Sequence, residues 1–310
     1  MRRRSLALPV LLCGVLAAAT VLTGPVVAQQ VPVFRSVTST VGVNASVKKG
    51  NKVIANLKAA DFRLTDNGVP QTIDSVSIES VPIDVSMFLD TSGSTAGKLD
   101  DMTRDIHRII AMLRPGDRFR LLTISDGVDE SLGWVPAGTT PNVSFKAVGG
   151  ISVIHDALIA GLLHRVDSTR RHLVVGMTDR QDCGSVVPSA VLLDVAGRSE
   201  SVLHLVDYSG GGGEVDYRTR TCSPRARSGG PGIIERAAER TGGGLHPTSM
   251  FFRASSILRV FKQIFDEFRQ SYMLRYSPTG VPASGWHAIK VTVPAEKEAI
   301  VRARQGYYGG

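Results

Sequence analysis

The chain has 310 residues, 43% of them hydrophobic and 21% charged, and a formal net charge of +8 at pH 7. That apolar mass suffices for one full α/β domain plus something smaller, which excludes a disordered or fibrous chain. The basic residues are scattered rather than clustered, so the positive balance gives no support to nucleic-acid binding.

The first 28 residues stand apart. Arg2, Arg3 and Arg4 precede an apolar stretch broken by Gly14, Gly24 and Pro25, and Val26-Val27-Ala28 offers a small-residue cleavage site. Together these read as a secretory signal peptide, with a retained N-terminal membrane anchor as the alternative. The expected location is therefore secreted or periplasmic, with no transmembrane segment after cleavage. Cleavage removes three arginines and no acid. It leaves Cys183 and Cys222 in a compartment where disulfides persist.

Residues 29–80 carry a short-period β pattern. Val41, Val43, Ala45 and Val47 alternate, Lys48-Lys49-Gly50-Asn51 turns, and Phe62 and Leu64 alternate again before Asp66-Asn67-Gly68. From 81 to 270 strands alternate with helices. The strand-like runs are Ile83–Leu89, Phe119–Ile124, Leu173–Met177 and Val202–Val206. Helical spacing appears in Leu99, Met102, Ile106, Ile109 and Leu113, again in Ile154, Leu158 and Leu162, and in the series from Ile257 to Phe268. Such alternation predicts a doubly wound, Rossmann-like and mostly parallel sheet covered on both faces.

The β pattern returns over 271–310, in Tyr272–Tyr276, in Ile289, Val291 and Val293, and in Ile300–Ala303. Neither β-rich end is long enough for its own core. The expected solution is one small β-rich module built from 29–80 and 271–310, with the α/β domain inserted between them. Ser209 to Pro231, with four consecutive glycines, reads as a long insertion loop after a sheet strand.

Three motifs carry chemistry. Asp90-Thr91-Ser92-Gly93-Ser94-Thr95 follows the strand Ile83–Leu89, placing a carboxylate and two hydroxyls at the carboxyl edge of a sheet. These are hard oxygen donors of the kind Mg²⁺ prefers, although the same residues could simply cap a helix. Gly149-Gly150-Ile151-Ser152 opens the second helix with a hydroxyl at its tip, and Asp156 follows as a helix-start residue that orients this loop. Leu173 to Asp179 is a buried strand ending in Thr178-Asp179. Asp126, on a strand that precedes the glycine loop, is assigned to an ordinary turn.

This ordered set resembles the von Willebrand factor A domain and its metal-ion-dependent adhesion site (MIDAS). The resemblance covers roughly residues 83–270. It implies that Asp90, Ser92, Ser94, Ser152 and Asp179 hold a divalent cation, Mg²⁺ first, with Mn²⁺ or Ca²⁺ as alternatives. It also implies that the ion's open position accepts an acidic side chain from a protein ligand. The flanks, Asp61 to Gln71 and Arg304-Gln305-Gly306-Tyr307-Tyr308, are similar to secreted von Willebrand factor A-related proteins abundant in acidobacteria. Two residues depart from the family pattern. Ser152 stands where Thr is usual. Arg180 stands where Gly is usual, and its guanidinium could pair with Asp179 or contact an acidic ligand.

Catalysis finds no support. Gly93 to Leu99 lacks the spacing of a phosphate loop, there is no His-Glu-x-x-His helix, and no serine sits in Gly-x-Ser-x-Gly. His155, His164, His172 and His204 read as structural or surface residues. The expected function is metal-dependent, non-catalytic binding, with a metal-independent structural module of the cell envelope as the alternative. If the strands before Cys183 and Cys222 are neighbours, a disulfide between them pins the insertion over the metal face. Two unpaired thiols is the competing reading.

Overall fold

The computed structural model describes residues 40–92, 99–143, 151–164, 167, 169–180, 182–207, 232–248 and 254–310. The signal-peptide segment, Ser94, Cys222 and the 209–231 insertion lie outside the described residues. Among those described, no helix is long and apolar enough to cross a membrane.

Five short strands come first: β1 (Val41–Lys49), β2 (Lys52–Val53), β3 (Arg63–Asp66), β4 (Val69–Gln71) and β5 (Ser75–Ile78). The alternating part follows as β6 (Ile83–Asp90), α1 (Leu99–Ile110), β7 (Arg118–Ile124), β8 (Val128–Pro136), α2 (Ile154–Leu162) and β9 (Arg171–Thr178). It continues through α3 (Ser189–Arg198), β10 (Val202–Asp207), α4 (Gly232–Arg240), β11 (Gly244–Pro247) and α5 (Ala254–Arg269). The chain closes with β12 (Tyr272–Tyr276), β13 (Gly285–Thr292), β14 (Ile300–Ala303) and β15 (Gly306–Gly309).

The large sheet runs β11-β10-β9-β6-β7-β8, parallel except for the antiparallel edge strand β8. All residues of β6 and β9 are buried. This explains their continuous apolar reading, since helices cover both faces. On one face Val85, Met87 and Leu89 pack with Ile106 of α1 and Phe261 and Phe265 of α5. On the other, Phe88 packs with Leu158 of α2, Leu192 of α3 and Ile234 of α4. Strand β6 pairs with β7 on one side and β9 on the other. The winding therefore reverses at the carboxyl end of β6, where open α/β sheets hold ligands.

The remaining strands form two further sheets, β14-β1-β12-β5 with β2 on β1, and β15-β13-β3-β4. Each draws strands from both ends of the sequence. Val43, Ala45 and Val47 of the first sheet share one core with Phe62, Leu64, Ile289 and Val291 from the second and its approach. Beside this core, Asp66 accepts hydrogen bonds from Tyr276 Oη at 2.7 Å and Tyr307 Oη at 3.1 Å, and it contacts His287 Nδ1 at 2.9 Å.

One buried ionic cluster ties α5 to the first of these sheets. Glu267 accepts from Ser46 Oγ at 2.8 Å, Lys48 Nζ at 3.2 Å and Arg302 Nη1 at 3.0 Å. Burial opposes the charge on Glu267. Neighbouring His204, Arg302 and Lys48, with the Ser46 hydrogen bond, overcome that and hold its carboxyl at about 2.

Candidate metal centre

Strand β6 ends in Asp90, whose side chain is fully buried. A bare carboxylate there would be costly, so neighbouring donors converge on it. The backbone turns directly after the strand, and the Ser92 amide donates to Asp90 Oδ1 at 3.0 Å while its hydroxyl also bonds the carboxylate. Ser152 Oγ donates to Oδ2 at 3.1 Å from the loop before α2, and Thr178 Oγ1 donates to Oδ2 at 3.3 Å from the end of β9. Burial pushes the Asp90 carboxyl above the usual carboxylate range against the Ser92 bonds, and the charge of Asp179 adds to that push.

Asp90, Ser92 and Ser152 are thus brought together in contact, and Asp179 lies close enough for its charge to act on Asp90. Ser94 lies outside the described residues. Thr178 is a site residue that sequence reading left unassigned. Its signal was its position beside Asp179 at the end of a fully buried strand, where an inward hydroxyl needs a partner.

The Ser152 loop is held by several groups. Asp126 does sit in a turn, but it does more than end a strand: its Oδ1 accepts the Ile151 amide at 2.8 Å. The Cys183 and Gly184 amides both donate to the Ser152 carbonyl, at 2.9 and 3.1 Å. Asp156 accepts the Val186 and Val187 amides at 2.9 and 3.0 Å, while Asp182 accepts the His155 amide at 3.1 Å. Asp156 therefore fastens the loop after β9 to the start of α2, and it orients Ser152 through that loop.

Arg180 follows Asp179 directly after β9. Its guanidinium pairs with Asp207 at 2.9 Å and Glu235 at 3.3 Å, so it is committed to the ends of β10 and α4. Its backbone takes a left-handed φ of 65°, a conformation that glycine adopts without steric cost. Holding a non-glycine residue there costs on the order of 1 kcal/mol, which the two ion pairs help offset. Arg180 Nε is in addition buried without a hydrogen-bond partner among the described residues.

The donor chemistry fits a hard divalent cation. A carboxylate and several hydroxyls converge at the carboxyl end of β6, and the charge of Asp179 adds to the cost of ionising Asp90. Among the described residues no three His, Cys, Asp or Glu side chains are grouped to hold a metal. An ion here therefore depends on the hydroxyls.

No family model matches the chain, and no curated protein matches it. Solved structures are similar to it at low identity. A von Willebrand factor type A structure from Catenulispora acidiphila is 8% identical over 89% of this chain and 74% of that one, with a TM-score of 0.44. The ArnB paralog VWA2 from Sulfolobus acidocaldarius is 11% identical over 86% of this chain and 75% of that one, at 0.45. Proximal thread matrix protein 1 from the mussel byssus, solved with a zinc-occupied MIDAS motif, is 16% identical over 65% of this chain and 49% of that one, at 0.44. At these identities and TM-scores the likenesses carry no argument about this chain's fold or its residues. The role of each residue in this chain rests on its own geometry.

Proposed function

We propose that this chain is an exported, non-catalytic binding protein that recognises an acidic group on a protein partner through a divalent cation. The convergence of Ser92, Ser152 and Thr178 hydroxyls on buried Asp90, at the switch point of the sheet and within the field of Asp179, carries this reading. Asp90, Ser92, Ser94, Ser152 and Asp179 would hold the ion, Mg²⁺ first and Mn²⁺ or Ca²⁺ as alternatives. The ion supplies a Lewis-acidic position for the partner's carboxylate. The chain's own part is to fix the hydroxyls, through Asp126 and the Cys183–Gly184 amides, and to frame the site.

Ile151 and Val186 are 40% and 89% exposed on loops beside the site, and they support a protein partner over a small solute. Pairing of Cys183 with Cys222 belongs to the same reading and is supported by the disulfide-bonded state of Cys183. It would draw the 209–231 insertion toward the metal face.

Calorimetry and thermal shift with Mg²⁺ and Mn²⁺, with Asp90→Ala as control, test the metal. Saturation to a hundred times the dissociation constant should add about 2.7 kcal/mol of stability. No heat and no shift in the wild type would overturn the metal reading in favour of a metal-independent envelope module. In that case Asp90 serves only to gather hydroxyls and cap loops. Pull-downs from envelope extract with and without chelator test the partner, whose capture should be lost on chelation.

A further inference from the structure

At the opposite end of β6, on the same face of the sheet, a second polar cluster has no part in the metal centre. Ser86 lies four residues before Asp90, about 13 Å along the strand, and the buried ring of Phe88 stands between them. Strand β7 sets Arg118 opposite Asp84 and Arg120 opposite Ser86. Asp84 is already claimed twice. Arg118 grips it with both nitrogens of its fork, at 2.9 and 2.6 Å, and Arg170 Nε adds a third bond at 2.6 Å.

Arg120 has no such carboxylate. Its Nε donates to Ser86 Oγ at 2.7 Å, and Ser86 in turn contacts His172 Nε2 at 2.8 Å, so the guanidinium is fixed through its inner edge. Its Nη1 and Nη2 make no hydrogen bond with the described residues, and neither is sealed from solvent. Glu130 and, more weakly, Asp84 lie near enough to act on the charge of Arg120, but among the described residues neither makes an ion pair with it. A half-buried guanidinium presented by its outer fork is the geometry that receives an oxyanion end-on.

The walls are built too. Strand β8 pairs Pro136 with Arg118 and Val135 with Phe119, so ordinary antiparallel pairing sets Trp134 on the Arg120 side. The indole centroid lies 4.8 Å from Arg120 Cζ and 5.3 Å from Arg118 Cζ, with the His164 ring 5.3 Å away. Burial pushes the His164 imidazole below its ordinary value, and the Arg120 charge adds to the effect. Among the described residues no carboxylate bonds the outer fork of Arg120.

We propose that Arg120, walled by Trp134 and His164, is an oxyanion-binding site that takes a carboxylate or phosphate through Nη1 and Nη2. It would give the protein a second, metal-independent point of recognition. The test uses the full chain at low ionic strength, titrated with sodium benzoate or inorganic phosphate against a sodium chloride control, read by tryptophan fluorescence and calorimetry. Saturable binding at millimolar concentration is expected, weakened at least tenfold in Arg120→Gln and unchanged in Asp90→Ala. Arg120→Lys keeps the charge and loses the fork, so it should weaken benzoate at least threefold and serves if the Gln variant fails to fold. Stronger binding of benzoate assigns a carboxylate ligand, and stronger binding of phosphate assigns a phosphoryl one. Absence of saturation by both anions, or equal affinity in wild type and both Arg120 variants, overturns the proposal.

Discussion

Glu267→Gln removes the central charge of the cluster that joins α5 to β1 and β14. Its side chain is 4% exposed, whereas those of Lys48 and Arg302 are 17% and 21% exposed. The carboxyl is held near 2 against an ordinary value of 4.5. A depression of that size corresponds to about 3 kcal/mol of linked stability. His204 is neutral at neutral pH, so only Arg302, Lys48 and Ser46 act there, and about 2 kcal/mol is the better expectation at pH 7. Amide substitution also leaves two cations without their partner, although both can turn partly to water, which keeps the loss below the 3 to 5 kcal/mol of a fully buried broken pair. The total expected is about 2 to 3 kcal/mol, read as the difference in urea-unfolding free energy. The sign of the pH dependence follows from a depressed acid. Its contribution is complete above pH 4.5 and is lost as pH falls toward 2, so the difference should stay constant from pH 8 to 5.5. A difference under 0.5 kcal/mol, or one that grows as pH falls, would refute the clamp.

Three other outcomes follow from the same geometry. A Cβ on Gly161 would lie 2.6 Å from Phe88 Cε2 and 2.9 Å from Cζ, so Gly161→Ala sets overpacking of about 1 to 3 kcal/mol against about 1 kcal/mol of helix propensity. A net loss near 1 kcal/mol and a Tm lowered by about 2 to 4 °C is expected, and a raised Tm would contradict the packing. Burial lowers His172 to about 3, His204 to about 4 and His246 to about 2. The unfolded chain therefore binds protons first, and stability should fall from pH 6.5 downward with a slope approaching about 4 kcal/mol per pH unit near pH 5; a flat profile from 7 to 5 in chemical unfolding would show that these imidazoles are not held neutral. Arg180→Gly relieves the left-handed backbone but drops the pairs to Asp207 and Glu235, so the divalent-ion affinity measured by calorimetry should change less than about threefold. A tenfold gain would mean that the guanidinium competes with the metal.

The sequence carried the central strands well because β6, β7, β9 and β10 are apolar runs between turn signals, and α1, α2 and α5 have clear helical spacing. It did not reveal β8, whose residues Asp129, Glu130 and Ser131 are exposed on an edge and show no apolar alternation. Helices α3 and α4 and the short β11 were missed as well. Helix α3 buries Ala196 and Gly197 and α4 buries Ala237 and Ala238 where large apolar residues would have marked a stripe, and β11 has four residues. At the candidate site, residue types and order pointed to Asp90, Ser92 and Ser152. The service of Asp126 to Ile151, and the withdrawal of Arg180 toward Asp207 and Glu235, depend on chain segments that only folding brings together.

The pairing of sequence ends has a mechanical consequence. Strand β1 pairs with β12 and β14, and β13 pairs with β3 and β15. A pull applied between residues 41 and 309 would therefore load these short antiparallel ladders, while the six-stranded sheet hangs beside the line of tension. The crevice at Asp90 would keep its shape until the ladders sheared.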